Sequence, residues 1–325
     1  MFKKIICAAT MAVAALSGAA VHAQDAEKVI NFGIISTESS KNLKQDWQPV
    51  LDEMSKKLGM KVNAFFASDY AGIIEGMRFG KVQMAWFGNK SALEAVDRAS
   101  GEVFAHVVNP DGSEGYYSLV GVPQDSPIKS IDDVLKNAKN LNFGIGDPNS
   151  TSGYLVPSYY IFAKNNLDSK TAFKTIRSAN HQSNILAVAN KQVDAAVFAS
   201  DTLDRITARQ PETAGKIRVV WKSPLIAADP LVWRKDLPQA TKIRIKDFFL
   251  NYGKTGPNVA QEKEQLEKLQ FSGFKDSSDA QLKPIRQLEL FKEKNKIEAD
   301  SNLNGDEKKA KLDDINRKLN ELAKA

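Results

Sequence analysis

From residue 29 onward, short apolar runs alternate with amphipathic stretches. That rhythm belongs to α/β layering rather than to a β-sandwich or a helical bundle. Strands are predicted over 29–35, 61–67, 82–87, 117–122, 141–145, 195–198 and 217–221. Between the first two, Leu43, Trp47, Val50, Leu51, Met54 and Leu58 follow helical spacing and stop at Gly59. Pro49 inside that pattern leaves the helix start open, as a kink or as a late first turn. Further helices are expected over 71–79, 92–99, 131–138, 153–164, 184–191 and 203–208. The units fall into two groups, one before about Tyr116 and one from about Pro123 to Trp221, after which the chain reads as helical to its end. Two lobes joined by crossing strands fit this order. Lobe 1 is expected over 24–120, completed by about 225–285, lobe 2 over 121–224, and a helical extension over 286–325.

The first 23 residues read as a secretory signal peptide. Lys3 and Lys4 precede an apolar run, and Val21, His22 and Ala23 form a small-residue cleavage site, so cleavage is expected after Ala23. No later stretch is apolar for long enough to span a bilayer. Without the leader, which carries two Lys and no acid, 302 residues remain and the formal charge falls from +6 to +4. No basic stripe is clustered, so nucleic acid is not an expected partner. The single Cys, Cys7, lies in the leader without a lipobox before it, which excludes thiol chemistry and a lipid anchor from the expectation. His106 and His181 are then the remaining imidazoles, too few for a zinc site of Cys and His type. Neither a metal nor a cofactor is expected.

The most specific local feature is the run Gly-Asp-Pro-Asn-Ser-Thr-Ser-Gly at 146–153, after a predicted strand and before a predicted helix. Free N–H groups and the positive dipole end at a helix start favour an anion. The hydroxyls of Ser150, Thr151 and Ser152 add donors without adding charge. The same residues also suit a simple N-cap. No phosphate-loop signature or nucleophile elbow surrounds them. Asp201 lies at the carboxyl end of a predicted strand, where open α/β sheets bind ligands, or else caps the helix that follows. His181 opens a helical pattern as a cap or a surface imidazole. Asp229 precedes Pro230 as a turn residue would. Tyr70 and Tyr116 read as half-buried packing, the latter in an interlobe crossing.

Taken together, segments 31–39, 69–74, 146–153 and 186–191, with Asp229-Pro230 and Val232-Trp233-Arg234, closely resemble the phosphonate-binding proteins of bacterial ABC importers. The likeness runs in order through nearly the whole mature chain. It implies a type II periplasmic binding fold, with two α/β lobes and a hinge, and an alkylphosphonate ligand such as 2-aminoethylphosphonate. It further implies a periplasmic location and an inner-membrane permease as partner. By this resemblance the phosphonate oxygens are held at Ser150, Thr151, Ser152 and His181. The aromatic contacts fall on Tyr70 and Tyr116, and the carboxylates on Asp201 and Asp229. Asp201 departs from the glutamate expected in a close member of that family, and Phe87 stands where tyrosine is expected. The physical reading is that neutral donors hold the anionic end and carboxylates hold an ammonium tail or a protonated phosphonate oxygen.

A non-catalytic solute receptor is therefore expected. The alternative is a secreted hydrolase or lyase acting on phosphorus compounds, against which stands the lack of an identifiable nucleophile, base and orienter. A scaffold role for the charged C-terminal helix is a third reading. In that helix Leu312, Ile315, Leu319 and Leu322 form an apolar stripe that packs back on its own lobe or meets a copy in a homodimer.

Overall fold

The computed structural model describes residues 29–165, 167–168 and 171–324, so the expected signal peptide, with Cys7 and His22, lies outside the described residues. Lobe 1 begins with β1 (Val29–Ile34), α1 (Ser40–Leu58), β2 (Lys61–Phe66), α2 (Tyr70–Arg78), β3 (Met84–Trp86), α3 (Asn89–Arg98) and β4 (Gly101–Val108). The chain crosses at β5 (Gly115–Tyr116) and builds lobe 2. That lobe comprises β6 (Ser118–Pro123), α4 (Ile131–Lys136), β7 (Asn142–Ile145), a helical stretch over 151–165, β8 (Thr175–Ser178), α5 (His181–Ala189), β9 (Ala195–Ala199), α6 (Ser200–Arg209), α7 (Pro211–Ala214) and β10 (Ile217–Lys222). It returns at β11 (Ile226–Ala227), and β12 (Pro230–Arg234), α8 (Gln239–Asn251), α9 (Val259–Leu269) and β13 (Gly273–Asp276) follow in lobe 1. Helices α10 (Lys283–Ala299) and α11 (Gly305–Lys324) end the chain.

Lobe 1 holds a six-stranded sheet ordered β13-β4-β12-β3-β1-β2, and lobe 2 a five-stranded sheet ordered β10-β6-β9-β7-β8. The two crossing strands pair with each other antiparallel, Tyr116 opposite Ile226 and Gly115 opposite Ala227, and this narrow ribbon is the hinge. The chain after Trp221 is therefore not helical throughout, as its composition suggested. β12 inserts antiparallel between β3 and β4, and β13 pairs along the outer side of β4. β12 escapes a sequence reading because it is five residues long and begins with Pro, which normally argues against a central strand. β13 is shorter still and half exposed, so it leaves no alternation to detect.

α1 shows why local propensity yields to packing. It starts at Ser40, capped by Ser39 Oγ accepting from Asn42 N, runs through Pro49 and ends at Gly59 with φ of 60°. Leu43, Trp47, Val50, Leu51, Met54 and Leu58 form its buried face. The Trp47 ring lies 5.0 Å from Phe32 and 5.6 Å from Trp86. Each such large side chain contributes about 1.5–3 kcal/mol on burial, which together exceeds the roughly 3 kcal/mol that an interior Pro costs.

The C-terminal stripe is covered within the chain. Ile315 of α11 packs with Leu290 and Ile297 of α10, joined by Leu303, Leu312, Leu319 and Leu322. α10 in turn touches both lobes. Its Glu289 pairs with Lys90 of α3 at 3.3 Å, while its Phe291 ring sits 6.2 Å from Tyr159 in the 151–165 helix.

Candidate ligand-binding cleft

Strand direction decides what faces the space between the lobes. In lobe 1, β1, β2 and β3 run parallel. Their carboxyl ends deliver Thr37, Tyr70 and Gly88. In lobe 2, β7, β8 and β9 run parallel. Their carboxyl ends deliver Ser150 to Ser152, His181 and Asp201. Asp229 arrives at the same edge from the opposite direction, because it precedes β12, which is antiparallel to β3. Tyr116 comes from the hinge ribbon. Ile35 and Ala199 complete the wall. All eight residues singled out in the sequence thus line one cavity of ≈ 10 Å³. That is about the space one water occupies, so the lobes are drawn closely together.

The 146–153 loop owes its shape to two glycines. Gly146 N donates to Gly153 O at 2.8 Å, and a Cβ on Gly146 would stand 2.5 Å from Gly153 Cα. This contact fixes the start of the 151–165 helix, whose first turn is wide: Leu155 N reaches back five residues to Ser150 O. Ser150 is its N-cap, with Oγ accepting from Gly153 N at 2.9 Å, so the capping role and the cleft position coexist in one residue. Thr151 Oγ1 accepts from Lys90 N of lobe 1 at 2.8 Å. Ser152 O accepts from Ser118 Oγ at 2.6 Å. Ser150, Thr151 and Ser152 are all buried.

His181 is neither a cap nor a surface imidazole. Asn180 caps α5, and His181 is 4% exposed. Ala199 N donates to its Nδ1 at 3.2 Å, which assigns the proton to Nε2, 3.4 Å from Ser150 Oγ. Burial, opposed by the charge of Asp201, lowers its pKa to about 4. At neutral pH the ring is an uncharged donor.

The carboxylates sit in different surroundings. Asp201 does not cap α6; Ala199 holds that position. Asp201 instead lies in the first turn, where Oδ2 accepts from Arg205 Nη1 at 3.1 Å. Asp229 is buried rather than being a surface turn residue, and its Oδ1 has no hydrogen-bond partner among the described residues. Burial first, then the charge of Asp201, pushes its carboxyl well above the usual carboxylate range, while the Tyr116 hydroxyl and Arg205 pull the other way. Tyr70 and Tyr116 are raised well above an ordinary phenol, by burial first and then by Asp229, so both remain protonated donors.

Four wall positions were not assigned from sequence, the apolar Ile35 and Ala199 and two that bear on the ligand. Thr37 is buried with Oγ1 unpartnered, and Gly88 leaves room between Thr151 Oγ1 and Asp229 Oδ1, which a Cβ there would meet at 3.2 and 3.8 Å. Both follow a parallel strand, which is the signal that would have found them. Among the described residues no Lys or Arg side chain lines the cleft. The cleft therefore offers hydroxyl, imidazole and phenol hydrogens alongside carboxylate oxygens, a set suited to an oxyanion that also carries a cationic or protonated group.

The family of periplasmic substrate-binding proteins of phosphonate ABC transporters matches residues 32–282. The chain belongs to that family. Over 301 residues it is 56% identical to the phosphonates-binding periplasmic protein of Escherichia coli, spanning 93% of this chain and 88% of that one. It is 32% identical to a phosphate-import protein of Mycolicibacterium smegmatis, over 68% of this chain and 71% of that one. Its fold superposes with a TM-score of 0.88 on the crystal structure of a binding-protein component of an ABC phosphonate transporter from Pseudomonas aeruginosa, 55% identical, covering 91% of this chain and 97% of the other. The type II periplasmic binding fold expected from the sequence is thus present. The chain is the periplasmic phosphonate-binding component of an ABC transporter, which implies a membrane permease as partner. The hydrolase or lyase alternative is set aside, because this family consists of binding proteins and not enzymes.

Proposed function

We propose that this phosphonate-binding protein takes an alkylphosphonate with an aminoalkyl tail, 2-aminoethylphosphonate being the simplest such ligand, and releases it to the inner-membrane permease. The observation that carries the reading is the coexistence, in one cleft, of neutral donors with Asp229, whose Oδ1 has no partner. Ser150, Thr151, Ser152 and Nε2 of His181 hold the phosphonate oxygens, the Tyr70 and Tyr116 hydroxyls flank them, and Asp229 and Asp201 receive the ammonium. A fully ionised anion without a tail leaves those carboxylates uncompensated, which is selectivity by unpaired charge.

Titration calorimetry on the mature protein tests this. 2-Aminoethylphosphonate is expected to bind tightly, methylphosphonate more weakly and sulfate much more weakly. Asp229→Asn is expected to weaken the aminoalkyl ligand more than methylphosphonate. Micromolar or poorer affinity for every phosphonate overturns the assignment. Inorganic phosphate belongs in the same series, since one relative is named for phosphate import. Intact mass of the exported protein tests cleavage after Ala23. A homodimer through α11 is the remaining part of the reading. Because α10 covers the stripe, it requires α11 to be exchanged between copies, and light scattering on full-length and α11-deleted protein tests it.

A further inference from the structure

Glu38 follows Thr37 directly, and its side chain is fully buried. Its partners reach it from the other lobe: Arg205 Nε donates to Oε1 at 2.6 Å and Arg209 Nη1 to Oε2 at 3.3 Å, while Asn42 Nδ2 of its own lobe stands at 3.4 Å. A buried carboxylate is costly without a counter-charge. Closure of the lobes supplies it.

The same guanidinium has a second face. Arg205 is 4% exposed, and it donates from Nη1 to Asp201 Oδ2 at 3.1 Å and from Nη2 to Thr202 Oγ1 at 3.1 Å. Asp201 lines the cleft. One planar cation therefore joins a carboxylate that fastens the lobes to a carboxylate that faces the ligand, a bridging geometry that suits arginine. Asp229 Oδ1, in the same cleft, has no such partner. On the solvent side, Arg205, Arg209 and Asp46 border an open groove of ≈ 410 Å³ between α1, α6 and α9. Arg209 pairs there with Asp46.

We propose that Arg205 is a specificity-determining residue of this transporter component. Held by Glu38 when the lobes close, it partly offsets the charge of Asp201, so that Asp229, which has no ion pair among the described residues, becomes the stronger of the two carboxylates toward the ammonium. The site is thereby set for a tail carrying a single positive charge, and it still admits a phosphonate with no charged tail. This inference rests on the phosphonate reading above and adds a role for a residue that does not touch the ligand.

The test is the ratio of affinities for 2-aminoethylphosphonate and methylphosphonate, measured by calorimetry in wild type, Arg205→Gln and Glu38→Gln. Arg205→Gln strips Asp201 of its counter-charge, so the preference for the aminoalkyl ligand is expected to rise about tenfold or more. Glu38→Gln keeps the shape and a hydrogen-bond acceptor but lets the guanidinium charge fall undivided on Asp201, so the preference is expected to drop several-fold. The two shifts have opposite signs. A residue that merely fastens the lobes weakens both ligands alike, so an unchanged ratio in both variants overturns the inference. If Arg205→Gln does not fold, the fall in ratio with Glu38→Gln decides alone. Wild type that binds neither phosphonate removes the ligand reading itself, a result distinct from wild type that binds both with a ratio insensitive to either change.

Discussion

At the scale of single residues, two groups in the cleft put binding at odds with stability. The Thr37 hydroxyl is buried in the cleft wall without a protein partner among the described residues, and a hydroxyl so placed costs up to about 1–3 kcal/mol wherever no water or ligand reaches it. Thr37→Val is expected to raise the melting temperature slightly while weakening every phosphonate about tenfold, since a lost hydrogen bond of about 1.4 kcal/mol corresponds to that factor. Thermal unfolding and calorimetry on one preparation check both halves. His181 makes the second case. Its pKa is depressed from 6.5 to about 4 in the folded protein, so between those values the unfolded chain binds the extra proton. The contribution is complete above pH 6.5 and is lost as the pH falls toward 4, a change of about 3 kcal/mol. His181→Gln is expected to flatten this part of the stability profile, and equal slopes for variant and wild type would refute the buried neutral imidazole. Sequence alone could not separate this environment from a surface one, because a histidine opening a helix looks the same whichever sheet packs beneath it.

At the scale of elements, the strands and helices that position the cleft were largely legible, and the exceptions have physical causes. The period-two and period-3.6 patterns found β1, β2, β3, β7, β9 and most of the helices beside them. The rule that ligands gather at carboxyl ends of parallel strands points to the cleft wall where Asp201 lies, and applied to β1 and β3 it also points to Thr37 and Gly88. β4 and the short, largely exposed β8 were not read from the sequence either; β12 was hidden by its leading Pro and β13 by its brevity. The 146–153 loop could be read as an N-cap or as an anion site; the structure gives Ser150 the cap and puts it in the cleft wall as well. Its glycines are required by geometry. A Cβ on Gly153 would lie 2.9 Å from Gly146 Cα, 2.9 Å from Ser150 Oγ and 3.0 Å from His181 Cε1. Gly153→Ala is therefore expected to cost about 1–3 kcal/mol of stability, seen as a lower denaturation midpoint, and to weaken phosphonate binding by displacing both donors. An alanine variant with unaltered affinity would mean the loop tolerates a shift that this contact forbids.

At the scale of the whole molecule, what holds the lobes together lies partly outside the cleft. Glu38, Asp46, Arg205 and Arg209 form ion pairs across the lobes, and Gln182 N donates to Thr37 O at 3.2 Å while Gln182 Oε1 accepts from Ser39 N at 2.8 Å. Arg209 is partly exposed, with 32% of its side chain open to solvent, so its pairs contribute little, about 1 kcal/mol or less. Arg209→Gln is expected to enlarge the radius of gyration of the unliganded protein in small-angle scattering and to cost less than tenfold in affinity. Saturating ligand should restore the wild-type dimension.

The even division of the cleft between strand ends of both lobes has a kinetic corollary. Each half alone offers only part of the recognition, so cargo is retained for as long as the halves stay together. A permease that levers them apart can empty the protein without competing for any atom of what it carries.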